Sequence, residues 1–261
     1  MSIIKNIVIT GASSGIGKAL AVAYANKYSS NKINIFLFGR NIDNLTKTAK
    51  ECQSFGVNCF IYHKDVKNKD EMSLTLREIE KQYPVDLVIA NAGISAGTSM
   101  GVESQSQVSN IFETNVNGVL NTIEPLIDKM IARKNGQIAI ISSLAGFRGL
   151  PSSPAYSASK GAVRIYGEAL RGNLAKFGVK VNVICPGYIK TPMTAVNNFW
   201  MPFLIDSTKC AKKIINGLEN NKARIAFPFP LYFIVWLLAI IPQSITDPIF
   251  SRLPAKKSFD D

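Results

Sequence analysis

Histidine is almost missing from this chain: His63 is the only one in 261 residues. Four cysteines, Cys52, Cys59, Cys185 and Cys210, form no CxxC pair. That scarcity argues against a structural zinc site and against a Cys/His nucleophilic pair, so no metal is expected. The opening MSIIKNIVIT runs straight into a glycine-rich turn, without the longer apolar stretch and cleavage site of a secretory signal. A reducing, cytoplasmic setting is expected. No apolar run is long: residues 231–241 give eleven, about 16 Å as a helix at roughly 1.5 Å per residue. A bilayer needs about 20 residues. Acidic residues are few, 18 against 30 Lys and Arg, for a net charge of +12. Such a surplus attracts nucleic acid, anionic lipid or a phosphorylated ligand. The basic residues are scattered rather than gathered into an arm or stripe, so nucleic acid is not an expected partner.

What is present is globular. Apolar residues make up 47%, with 18 Gly and 12 Pro, which excludes a collagen-like or wholly disordered chain. Short apolar segments at 3–10, 33–38, 57–62, 85–90, 137–142 and 179–184 alternate with helical patterns at 15–28, 42–55, 69–82, 107–133 and 154–177. This alternation predicts an α/β chain, a doubly wound parallel sheet with helices on both faces, in a single domain. A catalytic domain is expected over 1–228. Within it, 187–218 includes a segment rich in Met193, Phe199, Trp200, Met201, Phe203 and Leu204, read as an apolar lid. A short helix at 207–218 and a last strand at 223–227 complete it. Residues 229–261 are expected to form an apolar helical extension with a basic tail.

Residues 10–17 read TGASSGIG, between the first strand and the first helix. Glycines there let the backbone turn tightly and approach a pyrophosphate. The helix N-terminus offers free N–H groups to phosphate. No Gly-Lys-Ser/Thr ending follows, which disfavours a nucleotide-triphosphate loop. Farther along, Tyr156 and Lys160 stand four apart on a predicted helix and share a face. A neighbouring ammonium is expected to lower the tyrosine's pKa. Such a tyrosine can give a proton to a carbonyl oxygen or take one from an alcohol.

The TGxxxGxG spacing resembles that of the short-chain dehydrogenase/reductase family. Asn91-Ala92-Gly93 stands where that family has its NAG motif, and Asn115 where it keeps a helical asparagine. Tyr156 to Lys160 matches YxxxK, Ser143 lies 13 residues before Tyr156, and Pro186-Gly187 with Thr191 matches the PG…T segment. The likeness covers roughly residues 3–195. It implies a Rossmann-like fold and a catalytic set of Asn115, Ser143, Tyr156 and Lys160. Ser143 would orient the reacting oxygen, Lys160 would also hold the nicotinamide ribose, and Asn115 would support a water linking Lys160 to solvent. The implied cofactor-binding set is Gly11, Ser13, Ser14, Gly15, Ile16, Gly17, Arg40, Asp65, Val66, Asn91, Ala92, Gly93, Tyr156, Lys160, Pro186, Gly187, Ile189 and Thr191. Without the resemblance, Asp65 reads as a helix cap and Ser142 as a cap or loop residue.

At the end of the second strand, Gly39-Arg40 replaces the acidic residue that would bind both ribose hydroxyls of NAD. Arg40 could hold a 2′-phosphate, so NADP(H) is expected over NAD(H). Related NADP-preferring members often carry a basic residue at the position of Ser14, which is serine here. The leading expectation is an NADP(H)-dependent reductase of a hydrophobic ketone, 3-oxoacyl or lipid-like carbonyl. The alternatives are an alcohol dehydrogenase running oxidatively and a non-catalytic NADP-binding scaffold or membrane-associated sensor. The resemblance also implies a homodimer, with a tetramer as the other option. Residues 229–242 would pack on the pocket, on a partner subunit or peripherally on an anionic membrane, with Lys222, Arg224, Arg252, Lys256 and Lys257 nearby.

Overall fold

The computed structural model describes residues 4–29, 32–99, 101–250 and 256–258. Its strands are β1 (Asn6–Thr10), β2 (Asn34–Gly39), β3 (Asn58–His63), β4 (Leu87–Ala90), β5 (Gln137–Ile141), β6 (Lys180–Pro186), the short β7 (Ile189–Lys190) and β8 (Ile205–Asp206), and β9 (Arg224–Phe227). Its α-helices are α1 (Gly15–Lys27), α2 (Ile42–Gln53), α3 (Lys69–Gln82), α4 (Gln105–Phe112), α5 (Gly118–Ala132), α6 (Pro154–Ala175), α7 (Pro192–Ala195), α8 (Ser207–Glu219), α9 (Phe229–Ile240) and α10 (Gln243–Phe250). Seven parallel strands form one sheet in the order β3-β2-β1-β4-β5-β6-β9, and β7 pairs with β8 apart from it.

Alternate side chains of each strand feed opposite faces. Ile7 and Ile9 of β1 pack with Leu20, Tyr24 and Ile214 under α1 and α8. Val8 packs with Phe36, Met72, Leu76 and Leu126 under α3 and α5. Both faces are therefore apolar, as a covered parallel sheet requires. Edge strand β3 departs from this, with exposed and half-buried residues. Asn41, Asn68 and Ser104 cap α2, α3 and α4 by accepting the backbone N–H three residues on. The order reverses between β1 and β4. The chain runs outward through β2 and β3, then crosses to build the other half. Beyond the carboxyl ends of those two strands the connections diverge and leave a crevice.

Three features go beyond the expected elements. The helix predicted over 107–133 is interrupted by a π-helical turn at Glu113–Asn117. The wider turn brings Thr114 and Asn115 into the interior. Of the six apolar lid residues, Met193 lines the crevice, whereas Trp200 is 84% exposed and Phe199 packs edge-on against Tyr188. The basic tail turns back: the Gly97 and Ser99 N–H groups donate to the Lys257 and Lys256 carbonyls at 2.6 and 2.9 Å. Arg224 is tied to Glu168 and to the Tyr232 hydroxyl, and Arg252 lies outside the described residues.

Candidate active site

The turn after β1 is closed by its neighbour β4. The Thr10 hydroxyl accepts the Asn91 and Ala92 N–H groups at 3.1 and 3.2 Å, and the Asn91 amide donates to the Thr10 carbonyl at 2.9 Å. Gly11 sits at φ +66°, and a Cβ there would lie 2.8 Å from the Asn91 amide nitrogen. A Cβ at Gly17 would come within 2.3 Å of the Gly11 carbonyl oxygen. Gly17 thus lets α1 pack behind the turn, while Ser13, Ser14, Gly15 and Ile16 face the crevice. The opening of α1 is bare of carboxylates in its first turn, which suits a bound phosphate.

Arg40 and Asn41 follow β2 on the same crevice. The Arg40 side chain is 59% exposed, with its guanidinium 3.9 Å from the Asp65 carboxylate. Asp65 accepts the Lys67 N–H at 3.0 Å; α3 is capped by Asn68 instead, so Asp65 does not take the helix-cap reading. His63, at the end of β3, is bonded to the Arg40 carbonyl at 2.8 Å, remote from the reacting groups.

Past β5 the chain makes a short 3₁₀ turn, Leu144–Gly146, capped by Ser143 through the Ala145 N–H at 3.1 Å. Pro154 begins α6, and its first turns present Tyr156 and Lys160. Lys160 is 4% exposed, and its ammonium donates to the Ile141 carbonyl at 3.0 Å. Burial lowers its pKa to about 8. The Tyr156 phenol is pushed above its ordinary value by burial, against a lowering by its hydrogen bond with Ser143. This corrects the expectation of a lowered tyrosine pKa: the ammonium lies 5.9 Å from the ring centroid and is engaged with a carbonyl. Ser142, by contrast, donates to the Lys160 carbonyl at 2.7 Å and fixes the helix to the strand.

Asn115 is fully buried behind the wall. Its carboxamide accepts the Ile94 N–H at 2.8 Å, donates to the Ile94 carbonyl at 2.9 Å and donates to Ser159 at 3.0 Å. It therefore locks the loop after β4 to α6. Ser159 is the partner on α6 that completes this lock.

A crevice of about 320 Å³ collects these groups. Every residue of the expected cofactor-binding set lines it except Gly17, and so do Ser143, Tyr156 and Lys160. Asn115 stands just behind, beside Gly93, where a Cβ would meet its carboxamide at 3.1 Å and the Lys160 ammonium at 3.3 Å. Lys64, Ile94, Thr114 and Thr194 also line the crevice. No spacing rule singles these out; they follow from where the loops cross. The cradle fits an elongated dinucleotide: bare glycine backbone and a helix N-terminus at one end, an arginine at another, and a lysine with hydroxyls where a nicotinamide ribose would rest. Among the described residues no group of His, Cys, Asp and Glu could hold a metal ion.

Comparison with known proteins agrees with this geometry. The family profile described as short chain dehydrogenase matches residues 5–201. An uncharacterized oxidoreductase of Myxococcus xanthus is 34% identical over 250 residues, covering 95% of this chain and 97% of its own length. The ketoacyl reductase HetN of Nostoc is 29% identical over 226 residues, covering 85% of this chain and 77% of its own. A short-chain dehydrogenase of Sphingobium yanoikuyae, solved in complex with NADPH, superposes with a TM-score of 0.80 at 18% identity, covering 98% and 99% of the two chains. The chain belongs to the short-chain dehydrogenase family of oxidoreductases.

Proposed function

We propose that the chain reduces the carbonyl of an apolar ketone or 3-oxoacyl compound to a secondary alcohol, using NADPH. The observation that carries this reading is the convergence of Ser143, Tyr156 and Lys160 on the crevice that begins at the glycine turn. A reduced nicotinamide supplies the hydride when bound. Ser143 and Tyr156 hold the carbonyl oxygen, and Tyr156 delivers the proton as charge develops on it. The Lys160 ammonium stabilises the resulting phenolate and holds the ribose. Asn115 positions this set, because it fixes the Ile94 loop against α6. The ketoacyl reductase among the relatives is consistent with a 3-oxoacyl substrate. A screen of NADPH consumption over ketones from short and polar to long and apolar tests the reading. Turnover confined to small polar carbonyls would refute it.

Cofactor preference is read from Arg40. A 2′-phosphate would draw its exposed guanidinium from the 3.9 Å approach to Asp65 into a charge-assisted pair. Arg40→Ala is expected to weaken NADPH binding about 10- to 100-fold and leave NADH within about twofold, since bonds to a charged group are worth about 1.5–3 kcal/mol. Titration of both nucleotides at fixed ionic strength checks this, and equal losses would reverse the assignment.

The apolar substrate would be met at an anionic lipid surface through α9. This helix has a two-sided character. Leu231, Tyr232 and Val235 pack toward Leu144, Val183 and Cys185, next to the Ser143 loop. Phe229, Phe233 and Trp236 stack in series on an outer ridge, and Ile234, Leu237 and Ile240 are exposed with them. No described helix is long and apolar enough to cross a membrane, but a 12-residue apolar helix can lie in the headgroup boundary. The net charge of +12 complements anionic lipid. Full-length protein should float with anionic vesicles, and Phe233→Ser with Trp236→Ser should abolish flotation while thermal melting stays the same. A parent chain that fails to float overturns this placement.

A further inference from the structure

The returning tail brings a second lysine to the catalytic tyrosine. Lys256 is half-buried, and its ammonium lies 5.3 Å from the Tyr156 ring centroid. It donates to the Ser95 hydroxyl, one residue beyond the crevice-lining Ile94, at 2.5 Å. The position is held by more than one contact. Its own carbonyl accepts the Ser99 N–H, the next carbonyl accepts the Gly97 N–H, and Ser258 donates to the Ser99 hydroxyl at 2.7 Å and the Gln107 carboxamide at 3.0 Å. Gly97 is bare where the tail crosses: a Cβ there would lie 2.4 Å from the Lys256 Cβ. The tail is thus packed against the loop after β4, next to Ile94 and Tyr156 of the crevice.

Among the described residues the charge has no counter-ion. None of the ion pairs among the described residues includes Lys256. A neutral hydroxyl and an aromatic face are its neighbours, and burial lowers its pKa to about 8 with no carboxylate opposing that shift. An ammonium so placed costs free energy that an anion beside it would return. Lys160 already donates to the Ile141 carbonyl, and in the proposed mechanism its other donors serve the ribose and the phenolate.

We infer that Lys256 anchors a carboxylate carried by the substrate, so that the preferred substrate is an apolar oxo acid whose ketone reaches Tyr156 while its anionic end pairs with the tail. This deepens the carbonyl-reductase reading and rests on it for the identity of the reacting group. The carboxylate neither gains nor loses a bond in the reaction. Its contribution is to binding and orientation, and it appears in KM rather than kcat.

The test uses the full chain, Lys256→Met and Lys256→Arg, each saturated with NADP⁺, in calorimetric titrations with decanoate and with decan-1-ol. The parent and the arginine variant should bind decanoate about 10- to 100-fold more tightly than the methionine variant does, the range for a charge-assisted hydrogen bond. Decan-1-ol should bind all three alike. In turnover with NADPH, the KM for 5-oxodecanoate should rise by about tenfold in Lys256→Met with kcat within about twofold, while the KM for its methyl ester stays unchanged. Equal binding of decanoate by parent and Lys256→Met overturns the inference, and so do equal losses for acid and ester, which would mark a purely structural tail. If decanoate binding depends on Lys256 but no oxo compound is reduced, the anchor stands and the carbonyl-reductase reading fails. If neutral ketones are reduced and decanoate binding ignores Lys256, the reverse holds.

Discussion

Tyr156→Phe should lower kcat/KM for any reduced ketone by about 10²- to 10⁴-fold, the usual contribution of a positioned general acid, with NADPH affinity within about twofold of the parent. The substitution removes one hydroxyl and keeps the ring, so the nucleotide contacts proposed at the glycine turn and at Arg40 would be untouched. The phenol also needs its proton. It is held above its ordinary value by burial, so it is fully protonated at neutral pH, the state required of a proton donor in the reductive direction. Ser143 hydrogen-bonds the same hydroxyl and pulls the other way. Ser143→Ala should therefore lose activity as well and raise the tyrosine's titration further. Single-turnover hydride transfer and nucleotide titration on the same preparation check the pair of claims. A Tyr156→Phe enzyme that keeps more than about a tenth of parental turnover would remove Tyr156 as the acid.

The parallel sheet was legible because its strands are buried on both faces. Runs such as NIVIT and NIFLFG offer almost no polar residue to water, and polar, lysine-bearing helices separate them. The glycine turn and the Tyr156–Lys160 pair were legible from residue types at fixed spacings, and Ser143 only through the family resemblance; the structure brings all of them to one crevice. The π-turn around Asn115 was not legible. It depends on a reciprocal bond between that carboxamide and Ile94, more than twenty positions earlier, and a 3.6-residue period says nothing about such a pair. Hydrophobicity alone does not say where each residue of the apolar segment points: Trp200 faces out, whereas Met193, itself partly exposed, lines the crevice. The sequence places Lys256 only in a basic tail near the apolar extension. Its inward turn rests on backbone pairing with Gly97 and Ser99, which a tail sequence carrying a few charges does not announce.

Lys160→Met should separate activity from stability. In the proposed mechanism the ammonium holds the ribose and stabilises the phenolate, so turnover should fall by about 10²-fold or more. The fold, however, bears a cost for this charge. Burial brings the Lys160 pKa down to about 8 from an ordinary 10.5, and a difference of that size corresponds to about 3 kcal/mol of destabilisation at neutral pH. The hydrogen bond to the Ile141 carbonyl offsets part of what its removal would return, by about 1 kcal/mol. The methionine variant should therefore melt no lower than the parent at pH 7, and up to about 8 °C higher for a chain of this size. The pH dependence has a definite sign. Below about pH 8 the lysine is protonated in both the folded and unfolded chain, and the full cost is present. Between about 8 and 10.5 the unfolded chain binds more protons than the folded one, so the parent's stability gains with rising pH from this group. Over the same window the parent loses the ammonium, and its turnover should decline. The stability gap between variant and parent should accordingly narrow from pH 7 to pH 10. Chemical denaturation across that range checks it, and a variant several degrees less stable than the parent at pH 7 would show that Lys160 supports the fold rather than straining it.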